Sequence, residues 1–220
     1  MFSETTGPED VSDDALGFVH RYIPPSASGE LTGDTTLLLL HGTGGDETDL
    51  LPLGRALFPG AGLLSPRGKV VERGAPRFFR RLAEGVFDQE DLATRTTELA
   101  SFIEAASRTY HLDQERIIAV GFSNGANIAA SLLLRGAGGL RRAILLSPMM
   151  PFEPESLPDL TGTAVFIGAG KTDPIVPVDQ VTRLAAALEQ AGAGVTLHWE
   201  RGGHSITAPE LDAARTWIGT

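Results

Sequence analysis

Short, almost unbroken apolar runs set the limits on how this chain can fold. The run TTLLLLH (Thr35 to His41) is continuously apolar from Leu37 to Leu40 and is bounded by Gly33 and Gly42. A run of that length fits a strand buried on both faces, the habit of parallel sheets. RIIAVG (Arg116 to Gly121), RAILLSP (Arg142 to Pro148), TAVFIGAG (Thr163 to Gly170) and GVTLHWE (Gly194 to Glu200) also read as strands. FVHRYIP (Phe18 to Pro24) alternates and ends at a proline pair, and AGLLSPRG (Ala61 to Gly68) reads as a short strand with a turn. Helical spacing fills the intervals: Leu92 to Tyr110, Asn124 to Arg135, Val178 to Gly192 and Ala208 to Ile218. Asp46 or Thr48 is a candidate cap for a further helix ending near Phe58, which Pro52 limits to a late start or a kink. Strands alternating with helices predict an α/β fold with a mainly parallel central sheet flanked by helices. Residues 17–220 are expected to form that single domain, and the acidic segment 1–16 to be loosely held.

Charge and composition narrow the function classes. The formal net charge of -10 disfavours nucleic acid and an anionic membrane surface as partners. The chain has no cysteine, which excludes disulfides, thiolate chemistry and cysteine-ligated zinc. Its His, Asp and Glu residues lack metal-ligand spacing, so no metal and no cofactor is expected. MFSETTGPEDVSDDALG has no basic stretch followed by an apolar one, and the apolar runs are too short to span a bilayer. A cytoplasmic protein is the expectation.

GFSNG (Gly121 to Gly125) carries the sharpest chemical signal. With 26 glycines in 220 residues, the pattern G-x-S-x-G alone is weak. Its context adds weight: Ser123 falls between a predicted strand and a predicted helix, where a sharp turn lifts a serine hydroxyl above the sheet. The backbone N–H of Asn124, at the helix N-terminus, then faces developing negative charge. A serine is a weak nucleophile without a base, and the base needs an orienting acid. On sheets that present a serine in this way, the acid follows the serine in sequence and the histidine follows the acid. Asp173 in GAGKTDPIVP and His204 in ERGGHSI both lie just beyond strand ends, where open α/β sheets place their sites. Asp179 is the rival acid, within the first turn of the next helix. The loop HGTGG offers the backbone N–H of Thr43 as a second oxyanion donor, and His41 reads as a structural anchor of that loop. HGTGGDE lacks the lysine and spacing of a phosphate-binding loop.

LLLLHGTGGDETDL, SPRG, RFFRR, GFSNGANIA, TDPIVP and GGH together resemble the phospholipase/carboxylesterase family of α/β-hydrolases, from about Leu37 to the C-terminus. The nearest likeness is to a bacterial carboxylesterase branch that includes enzymes linked to hydroquinone and quinone stress. Acyl-protein thioesterases are related members. The resemblance implies an α/β-hydrolase fold, a Ser123–His204–Asp173 triad and an oxyanion hole at Thr43 and Asn124. It implies a small-molecule ester as substrate and leaves a homodimer open. GFSNG differs from the thioesterase members, which typically carry glutamine after the serine. The SPRGKVVERGAPRFFRR segment is also longer here.

The gaps bear on substrate. Only PMMPFEPESLPDL separates two of the strands, too little for a cap domain. The segment from Gly68 to Asp91 is the expected cover, with Phe78, Phe79 and Phe87 as apolar walls. Met149, Ile175 and Val176 lie beyond strand ends as pocket candidates; Met149 with Met150 and the aliphatic pair could equally be core. RGAPRFFRR gathers arginines in an acidic protein. Either they pair with Glu72, Glu84, Asp88 or Glu90, or Arg77 and Arg80 read a carboxylate or phosphate on the substrate. The expected activity is hydrolysis of small, short-acyl carboxylic esters through an acyl-enzyme. A thioesterase or lysophospholipase is the alternative, and a non-catalytic ligand-binding protein on a hydrolase scaffold is the reading from another class.

Overall fold

The computed structural model describes residues 9–11, 16–26 and 35–219, the first three by their backbone alone. The apolar runs lie side by side in one eight-stranded sheet. Its strands are β1 (Glu9–Val11), β2 (His20–Ile23), β3 (Thr36–Leu40), β4 (Gly62–Pro66), β9 (Ile117–Phe122), β10 (Arg142–Leu146), β11 (Ala164–Gly170) and β12 (Gly194–Glu200), with two small hairpins between β4 and β9. The spatial order is β1-β2-β4-β3-β9-β10-β11-β12. The pairs β1/β2 and β2/β4 are antiparallel, and every pair from β4 to β12 is parallel. β1 falls within the segment expected to be loosely held, and the remainder of that segment, up to residue 15, lies outside the described residues.

Strand alternation sorts the side chains into two layers. Leu38, Leu40, Ala119, Ala143, Leu145, Val165 and Ile167 pack on one face, and Leu37, Leu39, Ile118, Val120, Ile144, Leu146 and Phe166 on the other. The first face is covered by α2 (Gln89–Tyr110), α3 (Asn124–Leu134) and α4 (Val178–Gln190), the second by α1 (Leu51–Leu57) and α5 (Ala208–Ile218). Burial on both faces explains why the strand sequences read as continuous runs. The strand and helix expectations differ from these bounds by a few residues at most, except at α1. There Asp46 does not cap: its Oδ1 accepts from the N–H and hydroxyl of Thr48, closing a local turn. The helix starts only at Leu51, with Pro52 in its first turn, where no N–H is required.

Residues 68–91 form the hairpins β5/β6 (Val70–Glu72, Ala75–Arg77) and β7/β8 (Arg81–Ala83, Val86–Phe87). No helix or strand lies between β10 and β11, so the fold carries no cap there.

One buried carboxyl has a consequence for stability. Glu210 closes a capping box with Thr207 at the start of α5 and is 2% exposed. Burial pushes it up from 4.5 to about 6. The folded protein therefore holds this proton more tightly than the unfolded chain, and its contribution falls as pH rises from about 4.5 to about 6. Glu210→Gln keeps the acceptor and removes the charge. It is expected to stabilise the protein above pH 6 by at most roughly 2 kcal/mol, with no gain near pH 4. Urea unfolding of both proteins from pH 4 to 8 checks this; a constant difference across that range would contradict it.

Candidate active site

Ser123 sits between β9 and α3, at the centre of the sheet. Its backbone has φ 52 and ψ −113, a conformation L residues rarely adopt. The turn is possible because its flanking positions lack side chains. A Cβ on Gly121 would stand 2.6 Å from the Ala126 nitrogen, and one on Gly125 would overlap the Leu40 carbonyl. The serine N–H donates to the Leu146 carbonyl on β10 (2.9 Å), tying the turn to the neighbouring strand. Ser123 stands at the N-cap of α3, yet its hydroxyl caps nothing. It meets His204 Nε2 at 2.9 Å instead.

His204 arrives on the loop after β12, and its Nδ1 lies 2.7 Å from Asp173 Oδ2. Asp173 leaves the end of β11 and is 1% exposed at its side chain, against 15% for His204. Its other oxygen accepts from the N–H groups of Ile175 (2.8 Å) and Val176 (3.0 Å). The carboxylate thus caps its own turn with one oxygen and turns the other to the imidazole. Since Asp173 accepts from Nδ1–H, Nε2 is left as the acceptor facing the serine. The two loops are laced together: Thr172 Oγ1 donates to the carbonyls of Arg201 (3.0 Å) and Gly202 (3.1 Å). The rival, Asp179, is in the first turn of α4 and accepts only from its neighbour Gln180 among the bonds of its side chain.

β3 neighbours β9, so the loop after β3 comes to the same edge. His41 holds it: Nδ1–H donates to the Gly42 carbonyl (2.7 Å), and Nε2 accepts from Gly68 N–H (2.9 Å). That pattern requires a neutral ring, and burial lowers the His41 pKa accordingly. Asn124 begins α3, where the backbone N–H has no acceptor inside the helix. Its side-chain Oδ1 accepts from Phe78 N–H (2.7 Å), fastening the hairpin segment to the serine turn.

Ser123, His204, Thr43 and Asn124 line one cleft of about 320 Å³, together with Met149, Ile175 and Val176. A larger hollow of about 780 Å³ lies along Phe152 to Pro158 and contains none of the predicted site residues. Phe78 and Phe79 do not reach the cleft; they are 2% and 0% exposed and belong to the core. Capture of Phe78 N–H by Asn124 and the edge-on packing of Phe79 against Phe87 (5.1 Å between ring centres) draw them inward. Phe87 is the wall that reaches the cleft, joined by Phe122 from the end of β9. Arg80 is also placed away, bound to Asp88 at 2.8 Å. Arg77 and Arg81 line the cleft, and Arg80 does not. The sequence reading missed Arg81, Phe122 and Asn127. Asn127 had a signal, since it lies one helical turn from Asn124 and therefore on the same face.

A hydroxyl bonded to an imidazole acceptor, with a carboxylate behind that imidazole, can lose its proton as it attacks a carbonyl carbon. Among the described residues no group of three or more His, Asp or Glu side chains could hold a metal ion, and no helix is long and apolar enough to cross a membrane.

Known proteins share this arrangement of sequence and fold. The model of the phospholipase/carboxylesterase family matches residues 26–220. MhqD of Bacillus subtilis (strain 168), whose name marks it as an inferred hydrolase, is 52% identical over 186 residues, spanning 84% of this chain and 93% of that one. The crystal structure of the Bacillus cereus carboxylesterase is 46% identical with a TM-score of 0.88, covering 94% of this chain and 96% of that one. A carboxylesterase from Mesorhizobium loti is 32% identical with a TM-score of 0.86, over 96% and 98% of the two chains.

Proposed function

This chain belongs to the phospholipase/carboxylesterase family of hydrolases, and from that premise we propose that it is a serine carboxylesterase acting on small, short-acyl esters. The observation that carries the reading is the unbroken chain of hydrogen bonds Ser123–His204–Asp173, at 2.9 and 2.7 Å, behind a strained serine. Ser123 Oγ attacks the ester carbonyl while His204 Nε2 takes its proton. Asp173 holds the imidazole in the required tautomer and steadies its charge. The amides of Thr43 and Asn124 hold the oxyanion. His204 then passes the proton to the departing alcohol. Water, activated by the same imidazole, releases the acid from the acyl-enzyme.

Cleft size argues for short acyl groups. About 320 Å³ is near the lower end of small-molecule pockets, which run from roughly 300 to 1,000 Å³. Phe87, Phe122 and Met149 wall it, and no cap extends it. On p-nitrophenyl esters of graded length, kcat/KM is expected to peak between roughly two and six acyl carbons, a window set by that pocket size. A rate that climbs steadily to the palmitoyl ester would favour a lysophospholipase or long-chain thioesterase instead.

A further inference from the structure

Guanidinium groups are unevenly balanced at this cleft. Arg77 is only 4% exposed at its side chain, yet its nearest carboxylate oxygen, Glu72 Oε2, is 3.5 Å from its Nε. Glu72 is already committed to Arg81, whose Nε donates to Oε1 at 2.9 Å, while Oε2 makes no hydrogen bond. One carboxylate thus serves two arginines. Arg77 spends its remaining bonds on neutral oxygens: Nε donates to the Phe79 carbonyl (3.2 Å), and Nη1 to the Thr43 hydroxyl (2.6 Å). Burial and the neighbouring Arg81 both press on its charge. Glu84 also lines the cleft, but its side chain is exposed to solvent. Asn127 adds a neutral donor: its Oδ1 accepts from Met149 N–H (2.7 Å), which leaves its amide hydrogens uncommitted by that bond. Beside the serine, two guanidiniums thus share one close carboxylate, Glu72, while Glu84 stands exposed at the rim.

We propose that Arg77 and Arg81 form a carboxylate subsite, and that the protein's substrates are short esters carrying a carboxylate on the acyl part. That the ester is a substrate rests on the esterase reading above; the subsite itself does not. Arg77 is bonded to Thr43, the oxyanion-loop residue. His204, where the alcohol must leave, makes no bond to it. The anion therefore belongs on the acyl side, a few bonds from the scissile carbonyl. Paired guanidiniums suit it, because each can donate two parallel hydrogen bonds to a carboxylate. A bound carboxylate would also supply the counter-charge that Glu72 divides between two partners.

The test compares mono-p-nitrophenyl glutarate with p-nitrophenyl pentanoate, which has the same chain length without the charge, after subtracting spontaneous hydrolysis. In the parent protein kcat/KM is expected to favour the glutarate. In Arg81→Gln the ratio of the two values should fall by roughly tenfold to a hundredfold, through KM, as expected for hydrogen bonds to a charged group. Arg81 is partly exposed, so this variant is expected to fold; Arg77→Lys provides the second case, keeping the charge and losing the fork. Calorimetric titration with glutarate and with neutral glutaramide reads the subsite without turnover. A parent ratio at or below one, a ratio unchanged in Arg81→Gln, or equal binding of glutarate and glutaramide overturns the subsite. Failure of the parent to cleave either ester, with glutarate still preferred over glutaramide, would overturn the esterase reading and leave the subsite standing.

Discussion

Ser123→Ala is expected to lower kcat on p-nitrophenyl acetate by about a millionfold, the scale seen when the nucleophile of a serine triad is removed. The hydroxyl makes a single side-chain bond, to His204, so its loss removes the attacking atom and little else. The N–H of Ser123 still donates to Leu146, and its carbonyl still accepts from Asn127 N–H at 2.9 Å. The turn should therefore persist, and alanine at φ 52 is no more strained than serine. Circular dichroism and thermal unfolding should match the parent closely. Turnover within tenfold of the parent would exclude Ser123 as the nucleophile, whatever its geometry.

Asp173→Asn is expected to cost about ten-thousandfold in kcat, because the amide presents a donor where the imidazole needs an acceptor. Asparagine can still accept from Ile175 and Val176 through its oxygen, so the turn is retained. The NH₂ group then faces His204 Nδ1 and drives the proton to Nε2, the nitrogen that must accept from Ser123. Asp179→Asn serves as the control. The Asp179 carboxylate accepts from its neighbour Gln180, away from His204, and its replacement should change kcat less than twofold, within the range of a surface substitution. A larger loss at Asp179 than at Asp173 would reassign the acid.

How much of this was legible in the sequence follows from what each feature obeys. Leu37 to Leu40 could be read because a strand covered on both faces favours apolar side chains at successive positions, and the structure buries all four. Ser123 could be read because its turn excludes Cβ atoms at Gly121 and Gly125, a demand written directly into residue identity. Asp173 and His204 followed from their places just beyond strand ends. The cleft walls followed only in part: Phe87, Met149, Ile175 and Val176 line the cleft, whereas Phe78 and Phe79 do not. Phe78 and Phe79 are apolar enough for a pocket or a core, and the deciding contact, Asn124 Oδ1 to Phe78 N–H, joins positions far apart in sequence. Arg80 and Arg81 are adjacent, and in an extended chain neighbours face opposite ways. Choosing between them needs the register of the hairpin Arg81–Ala83 with Val86–Phe87, which composition does not fix.

Covalent labelling tests whether Ser123 is an activated nucleophile without assuming any substrate. A fluorophosphonate probe, followed by proteolysis and mass spectrometry, should place one adduct on the peptide containing Ser123 and none on the Ser123→Ala protein. Labelling of another residue, or equal labelling of parent and variant, would contradict the account.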